Sequence, residues 1–330
     1  MWMWSRGVGF HHAGLAPIVK EFVEYLFLNR YIKYLFATET LALGINMPAK
    51  SIYIDRLHKY DGIKTRPLTQ SEFLQLSGRA GRRGIDDKGF AFLSYDKSVN
   101  REWYSNLFTL KPNDLISAFS VNYSSILNLL NIYNEDEAVE LLRKSFFAYQ
   151  NMYKTDKLEK LFSAKYGVLN QLGFLNSDKG LVLTQTYRDN LIPAIYLFNK
   201  EKNKDIEFKL MYISSGITNE RAEFALNDKF DSLLSSFNSS LELVNKTEVA
   251  NGVGKPMKLN FSWFSVFYEY MKTSNIEYVI NKFGLNIGDF IKVAKEASEL
   301  SKKLAVIYSD TEFEEINDIF NNKLIQKTMT

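Results

Sequence analysis

Short apolar runs alternate with a helix pattern through the first 105 residues of this 330-residue chain. Residues 31–37, 50–54 and 89–95 are rich in aromatic and β-branched side chains, which is typical of strands, and 31–37 is expected to be buried. Between them, residues 17–29 carry apolar side chains at helical spacing. Strand and helix in this order predict an α/β fold, in which helices cover a parallel sheet.

Residues 75–83 read Gln-Leu-Ser-Gly-Arg-Ala-Gly-Arg-Arg, directly after a short helix that Thr69 and Glu72 are expected to begin as a capping box. Glycines let a backbone come close to a ligand or to a neighbouring segment. Arginines offer planar, permanently charged forks that fit phosphate oxygens. By itself, the run therefore predicts either a phosphate-binding loop or a solvated basic turn.

The composition narrows the class of protein. The chain is long enough for two or three domains, and its apolar content of 46% supports packed cores. It contains no cysteine, which excludes disulfides and thiolate metal sites and fits a cytoplasmic location. Its three histidines are too few and too poorly spaced for a zinc cluster. No apolar run reaches about 18 residues, so we expect no membrane span.

Composition and periodicity divide the chain into three predicted domains, 1–105, 106–200 and 201–330. The middle domain combines several helix patterns with two short apolar arms that flank Asn-Ser-Asp-Lys-Gly at 176–180. This pattern indicates a β-hairpin over residues 174–184 and hence a winged-helix domain. The last domain is expected to be almost entirely helical.

Helical periodicity predicts most of the elements beyond residue 106. Asn113 or Asp114 is expected to cap a helix that carries Leu115, Ile116 and Phe119. The other predicted helices cover 123–131, 137–150, 158–172, 205–214, 218–236, 258–272, 275–283 and 287–307. A loop is expected at 246–258, because it contains two glycines and a proline, and the end of the chain is expected to fray.

Three segments resemble motifs of superfamily 2 helicases, in the order and at the spacing of that family. Residues 7–16, Gly-Val-Gly-Phe-His-His-Ala-Gly-Leu-Ala, resemble its His-His-Ser/Ala-Gly segment. Residues 37–49, Ala-Thr-Glu-Thr-Leu-Ala-Leu-Gly-Ile-Asn-Met-Pro-Ala, resemble motif V in the form found in superkiller-type (Ski-like) DExH RNA helicases. Residues 75–83 resemble motif VI, Gln-x-x-Gly-Arg-x-Gly-Arg.

Two further segments are similar to the same group. Residues 119–130 resemble the stretch that follows the second RecA-like domain, and residues 261–307 faintly resemble the helical ratchet domain that closes these proteins. The resemblance therefore implies a second RecA-like domain at 1–105, followed by a winged-helix domain and a ratchet-like helical domain. It implies the C-terminal part of an ATP-dependent RNA helicase.

The resemblance also implies which partners the chain needs. In such motors ATP and Mg²⁺ lie between two RecA-like domains; the first supplies a Walker loop and carboxylates, and the second supplies arginines to the γ-phosphate. This chain contains neither Gly-x-x-x-x-Gly-Lys-Ser/Thr nor Asp-Glu-x-His. We therefore expect a first RecA-like domain, in the same or another chain, to be required, and no ATP hydrolysis without it.

On this resemblance, motif VI supplies the catalytic residues. Arg82 is expected to be the arginine finger, Arg79 to bind phosphate or the facing domain, and Gln75 to contact the nucleotide or the attacking water. Arg83 lies beyond the core pattern and is equally well explained as a surface charge. Contacts on the nucleotide side are expected from Gly44, Asn46, Gly78 and Gly81.

The other two motifs are expected to contact RNA. Thr38 and Thr40 can donate hydroxyls to a phosphate or ribose, although the alternative for Thr38 is a strand-end hydroxyl that satisfies the backbone. His12 and Gly14 resemble a loop that contacts the nucleic-acid backbone, whereas the other histidine of the pair is expected to pack inside.

In the ratchet-like region the sequence leaves a choice between RNA contacts and ordinary structure. The charged residues of one long predicted helix are explained either by nucleic-acid contact or by solvation; they are Asp289, Lys292, Lys295, Lys302 and Lys303. The aromatic cluster before it is expected to be core rather than a base-stacking platform. It consists of Phe261, Trp263, Phe264, Phe267 and Tyr268.

Three functions therefore remain possible from the sequence. The chain is the C-terminal part of an ATP-dependent RNA helicase, as a fragment or as half of a split gene; or it is a non-catalytic RNA-binding or adaptor module; or it is a remnant of such a helicase. DNA is the alternative substrate. The complete motif VI favours the first, because an adaptor has no need of Gln75, Arg79 and Arg82 together.

Overall fold

The structure is a computed structural model that describes residues 3–12, 14–38, 49–60, 65–82, 84–96, 99–109, 114–117, 119–151, 155–201, 204–217, 226–254 and 256–328. Contacts within the chain group it into two compact units, Met1–Leu115 and Ile116–Thr330. The finer division into three domains at 105 and 200 stays a prediction.

The first unit is built from short strands and helices. Its strands are β1 (Val8–His11), β2 (Tyr34–Ala37), β3 (Ser51–Ile54), β4 (His58–Tyr60), β5 (Thr65–Pro67) and β6 (Phe90–Leu93). Its described helices are α1 (Pro17–Leu28), α2 (Gln70–Ser77) and α3 (Arg101–Thr109). β1 pairs in parallel with β2, and β3 pairs in parallel with β6, while β4 and β5 form an antiparallel ladder. Parallel strands joined by helices confirm the predicted α/β character of this region.

The burial of the parallel strands differs from the prediction. Tyr34 and Phe36 on β2 are 68% and 69% exposed, so the expectation of a buried strand at 31–37 is wrong. Among the described residues, β2 is paired only with β1, against which α1 packs. A parallel strand is buried only where other elements cover both of its faces, and here that cover is incomplete.

A small core holds α2 and α3 beside the β3–β6 pair. It consists of Ile54, Leu57, Leu68, Phe73, Val99 and Leu107. Phe73 extends from the middle of α2 into this core and is 2% exposed. The predicted capping box is present, because Thr69 Oγ1 accepts the Glu72 N–H and the Glu72 carboxylate accepts the Thr69 N–H. The core and the cap together hold helix α2, which carries the first residues of motif VI.

The second unit is helical in all of its described secondary structure. The helices are α4 (Tyr123–Leu130), α5 (Glu135–Arg143), α6 (Phe146–Gln150), α7 (Thr155–Gln171), α8 (Asp178–Thr186), α9 (Ile192–Phe198), α10 (Ile206–Gly216), α11 (Asp231–Ala250), α12 (Ser262–Thr273), α13 (Ile276–Phe283), α14 (Ile287–Tyr308) and α15 (Thr311–Thr328). Helix α14 packs along α15, and α10 packs against α12 and α14.

Aromatic side chains dominate the core of this unit. The largest that are fully buried include Trp263, Phe264, Phe267, Tyr270, Phe290 and Phe313. The predicted core cluster is therefore confirmed for Phe261, Trp263, Phe264 and Phe267. Tyr268 is the exception, since it is only half-buried at the surface of α12.

The predicted hairpin at 174–184 is wrong, because the structure places helix α8 over most of this stretch. Ser177 Oγ accepts the N–H of Gly180 and so caps the helix. The residue types that suggested a turn therefore form the start of a helix. Val182 and Leu183, expected in a strand, are fully buried on α8. The winged-helix assignment of 106–200 is not confirmed, since none of the described residues there forms a strand.

The predicted helix around Leu115 and Ile116 is also wrong. The described residues there are irregular, and the two side chains are 83% and 84% exposed. Helix α4 begins at Tyr123, as predicted for 123–131, and the distant carboxylate of Asp189 caps it by accepting the N–H groups of Tyr123 and Ser124. A cap supplied from 65 residues away leaves no local signal in the sequence.

Two boundaries nearer the C-terminus also shift. Helix α11 runs from Asp231 to Ala250, so the first residues of the loop predicted at 246–258 are helical, while residues 218–225 of the predicted helix at 218–236 lie outside the described part. The stretch that was expected to fray belongs to α15 as far as Thr328. No helix in the described part is both long and apolar enough to cross a membrane.

Candidate functional site

Motif VI forms the turn that leads from α2 towards β6. The N–H of Ala49 donates to the carbonyl of Arg79 at 3.0 Å, and the carbonyl of Ala49 accepts the N–H of Gly81 at 2.7 Å. These bonds form a parallel bridge between Ala49 and Ala80. Because Ala49 lies two residues before β3, the turn lies at the amino-terminal end of the β3–β6 pair.

Close backbone packing explains one glycine of the motif. Gly81 has φ +91°, a left-handed conformation that side chains disfavour, and a Cβ there would lie 3.2 Å from the Cα of Gly89. A Cβ on Gly89 would lie 2.4 Å from the carbonyl carbon of Ala80. Two backbone segments therefore touch at this point, and Gly81 allows that approach. Gly78 is exposed at the C-terminus of α2.

Arg82 is held by a carboxylate four residues further along. Its Nε and Nη2 donate to the two oxygens of Asp86 at 2.6 and 2.7 Å, and its backbone N–H donates to Oδ2 at 3.0 Å. The Arg82 side chain is 28% exposed and that of Asp86 is 7% exposed. The guanidinium is thus fixed in one orientation by both oxygens of a single carboxylate.

The charge of this pair is stable at neutral pH. The hydrogen bonds from Arg82 lower the pKa of Asp86 to about 2, and the positive charge of Lys50 acts in the same direction. The same hydrogen bonds raise the pKa of Arg82 above its ordinary value. A carboxylate that binds both nitrogens of a guanidinium occupies the position that two phosphate oxygens would take.

The other motif VI residues precede this pair in the chain. Gln75 is exposed on the last turn of α2, and Arg79 is half-buried immediately after that helix. Helix α2 is itself anchored by Glu72, whose carboxylate contacts Arg66 at 2.8 Å and Lys59 at 3.1 Å. Arg83 and the predicted residues Thr40, Gly44 and Asn46 lie outside the described residues.

A second group of predicted residues lies at the carboxyl ends of β1 and β2. Thr38 is exposed and donates its N–H to the carbonyl of His11 at 3.1 Å, so it continues the parallel ladder. His12 is half-buried, accepts the N–H of Gly14 at Nδ1 over 3.2 Å, and stacks on the ring of Phe10. Thr38, His12 and Gly14 are therefore brought to the same end of one strand pair.

The two neighbouring histidines have different environments. His11 is 6% exposed, and its Nε2 lies 2.9 Å from the carboxylate of Glu24 on α1. His11 thus connects β1 to α1 in the interior, as a packing histidine does. His12 is left nearer the surface, where a ligand can reach it.

Sequence reasoning missed the carboxylates that hold these groups. Asp86 lies at i+4 from Arg82, a spacing at which opposite charges meet on one helical turn, so a search for such pairs would have found it. Glu24 is 13 residues from His11, and no local spacing rule points to it. Gly89, which touches the motif VI turn, was recognised only as the start of a strand.

Comparison with curated proteins finds several helicases over part of the chain. It is 44% identical over 156 residues to the DExH-box ATP-dependent RNA helicase DExH9 of Arabidopsis thaliana, covering 47% of this chain and 16% of that protein. It is 44% identical over 147 residues to the exosome RNA helicase MTR4 of Homo sapiens, covering 44% and 14%. The probable helicase HelY of Mycobacterium tuberculosis is 42% identical over 145 residues, covering 44% and 16%.

These matches extend over less than half of the chain and about one seventh of each relative. No protein-family model matches the chain. Within the matched part, identities of 41–44% recur among relatives named as RNA helicases. The resemblance to Ski-like DExH-box RNA helicases is therefore confirmed for that part of the chain.

Proposed function

Since nearly half of the chain is related to DExH-box RNA helicases, we propose that it supplies the second half of the ATP site and part of the RNA-binding surface of an ATP-dependent RNA helicase. A first RecA-like domain, in the same or another chain, would bind most of the ATP and the Mg²⁺. ATP and Mg²⁺ would supply the γ-phosphoryl group and its charge neutralisation.

The bidentate pair of Arg82 and Asp86 carries this proposal. A guanidinium that acts on a γ-phosphate must be oriented before the charge builds up in the transition state, and Asp86 would provide that orientation. Phosphate oxygens can replace the carboxylate with similar bidentate geometry. Arg82 would therefore act as the arginine finger, which contributes roughly 10³–10⁵ to the rate in related motors.

The other motif VI residues support the same role. Gln75 lies on the last turn of α2 and Arg79 lies two residues beyond its end, so both would contact a nucleotide bound by a neighbouring domain. Gly78 is exposed at the end of α2, and Gly81 lets the turn pack against Gly89, which fixes the backbone beside Arg82. We assign Gln75 to the nucleotide or attacking water and Arg79 to phosphate or the facing domain.

The RNA-contacting role rests on the second group. His12, Gly14 and Thr38 lie at the carboxyl ends of β1 and β2, where ligands of parallel α/β sheets bind. Backbone N–H groups, a hydroxyl and an imidazole there suit a phosphate or ribose. These contacts would position the strand without reading its sequence.

The decisive test of the finger is ATP hydrolysis in a reconstituted pair. The chain would be mixed with a separately produced first RecA-like domain of a related helicase, and hydrolysis would be followed with single-stranded RNA present. Arg82→Ala is expected to lower kcat by about 10³-fold, with RNA affinity almost unchanged. Arg143→Ala is the control, because Arg143 also donates its Nε to a carboxylate, that of Glu159, in the second unit.

Two outcomes would contradict the proposal. Near-normal turnover of Arg82→Ala would show that another group stabilises the transition state. Hydrolysis by the chain alone, without any first domain, would show that the ATP site is complete within these residues.

A non-catalytic RNA-binding or adaptor module is the second candidate. In that case the bidentate Arg82–Asp86 contact would be a structural ion pair rather than a finger oriented for phosphate. An adaptor would bind RNA, yet a first RecA-like domain would gain no hydrolysis from its addition. The reconstitution experiment therefore separates the two candidates, and a DNA strand of equal length in the same assay tests the alternative substrate.

A further inference from the structure

Two lysine side chains of the second unit converge on one tyrosine. The Nζ of Lys229 lies 4.2 Å from the ring centroid of Tyr268, and the Nζ of Lys272 lies 4.6 Å from the same centroid. Lys229 also donates a hydrogen bond to the Tyr268 hydroxyl. These three residues are called the Lys-Tyr-Lys cluster below.

The cluster is held in place by the core beneath it. Tyr268 and Lys272 are one turn apart on α12, and Lys229 belongs to the single turn that precedes α11. The Tyr268 ring packs edge-on against Phe230, at 5.0 Å between centroids, and stacks on Phe264 at 5.9 Å. Phe230 and Phe264 are buried, whereas both lysines are exposed. The tyrosine is thus fixed while the two ammonium groups face solvent.

The charges of the cluster are not balanced. Among the described residues, neither Lys229 nor Lys272 forms an ion pair with a carboxylate, although Asp228 and Asp231 are close to Lys229 in the chain. Glu269 on the same helix is already paired with Lys282 at 3.0 Å. Two ammonium groups around one ring repel each other, and an anion between them would remove that repulsion.

The hydrogen-bond capacity of the cluster also fits an anion. An ammonium group has three donors, so each lysine keeps donors beyond its contact with the tyrosine. The Lys229 hydrogen bond lowers the pKa of Tyr268, and Lys272 acts in the same direction, which reflects the local excess of positive charge. A phosphate oxygen can accept from both lysines at once.

We propose that the Lys-Tyr-Lys cluster binds a backbone phosphate of single-stranded RNA. This site belongs to the second unit, whereas the motifs that carry the proposed ATP and RNA contacts belong to the first. It rests on the RNA-binding part of the proposed function, because relatives of the chain are RNA helicases. The Tyr268 ring stacks on Phe264 and is contacted by both ammonium groups, so the cluster contacts phosphate rather than stacking on a base.

The salt dependence of RNA binding tests this site. The affinity of the whole chain for a fluorescent oligouridine would be measured by anisotropy at several salt concentrations. The double variant Lys229→Gln/Lys272→Gln is expected to bind roughly tenfold more weakly at low salt, with a log–log salt slope less steep by about one. Lys229→Arg/Lys272→Arg keeps both charges and is expected to retain most of the affinity.

The matched control removes the same charge elsewhere in the second unit. Lys144 and Lys246 are exposed, and each pairs with a glutamate four residues earlier. Lys144→Gln/Lys246→Gln is expected to bind like the unmodified chain. An equal loss in both double variants would overturn the site, because it would show only a dependence on total charge.

The other outcomes are equally informative. Unchanged affinity and slope in the Lys229→Gln/Lys272→Gln variant would overturn the proposal. If the unmodified chain binds no oligouridine, while inorganic phosphate shifts the Tyr268 resonances in NMR spectra, the cluster serves another phosphate ligand and the RNA assignment is wrong. Failure of the ATP-hydrolysis test with Arg82→Ala leaves this measurement untouched, so the two proposals can fail separately.

Discussion

At the scale of single residues, the candidate site depends on carboxylates that pair with its basic groups. Asp86 orients the guanidinium of Arg82, and Glu24 holds the imidazole of His11 in the interior. Each pair selects one orientation of a group that would otherwise sample several. The sequence motifs identify the arginine and the histidine, but the carboxylate partner determines the orientation of each side chain.

The Arg82–Asp86 pair predicts an acid-dependent contribution to stability. The folded pKa of Asp86, about 2, is below its ordinary value of 3.8. The stabilisation is therefore fully present above about pH 4 and is lost as the pH falls towards 2. Urea unfolding should show the unmodified chain more stable than Asp86→Asn at about pH 6, with a smaller difference at about pH 3.

The control for this measurement is the exposed neighbour Asp87. Asp87→Asn should leave the free energy of unfolding close to that of the unmodified chain at both pH values. If the difference in unfolding free energy between Asp86→Asn and the unmodified chain does not depend on pH, the carboxylate contributes to stability through its shape rather than its charge.

At the scale of elements, α2 is the support of motif VI. Its N-terminus combines a capping box with ion pairs from Glu72 to Arg66 and Lys59, and its middle is anchored by Phe73. The capping box was predictable, because Thr69 and Glu72 are three residues apart in sequence. The ion pairs could not be predicted in this way, because Lys59 lies on β4 and Arg66 lies on β5.

Glu72→Ala should therefore weaken the element that positions Arg79 and Arg82. The loss of the cap and of two partly buried ion pairs is expected to cost about 1–2 kcal/mol of unfolding free energy. Chemical denaturation of the purified chain measures this change. Glu102→Ala is the control, since Glu102 is an exposed acidic residue in the first turn of α3. Equal effects of the two substitutions would mean that the Glu72 network contributes nothing specific.

Helix α8 shows where local patterns fail for an element. Asn-Ser-Asp-Lys-Gly is typical of a turn, yet Ser177 uses its hydroxyl as a helix cap and Gly180 packs against the Phe174 carbonyl, which a Cβ would approach to 2.3 Å. The same residue types serve turns and caps, so the burial of Val182 and Leu183 determines the outcome. The structure of α8 thus follows from its neighbours α4 and α14 rather than from its own sequence.

At the scale of the whole molecule, each compact unit has a core of its own. Phe73 is 2% exposed in the core of the first unit, and Phe264 is fully buried among the aromatic residues of the second. A large aromatic side chain in such a position stabilises chiefly the unit that surrounds it.

Substitution of these two phenylalanines tests the division into units. Phe73→Ala and Phe264→Ala are each expected to cost about 3–5 kcal/mol, and each should lower the thermal transition of its own unit. Differential scanning calorimetry can resolve the two transitions. Phe146→Ala is the control, because Phe146 is 51% exposed, and it should change little. A single transition that both core substitutions lower equally would show that the chain unfolds as one unit.

The sequence by itself determined the α/β character of the first unit, the helices with strong periodicity, the capping box of α2 and the relationship to DExH-box RNA helicases. These features depend on residues that are close together in the chain, or on motifs whose order can be read directly. The tertiary structure alone decided that Arg82 is bound to Asp86, that β2 is exposed, that Asp189 starts α4 and that two lysines meet on Tyr268. Burial and long-range pairing set these outcomes, and neither is encoded in the spacing of neighbouring residues.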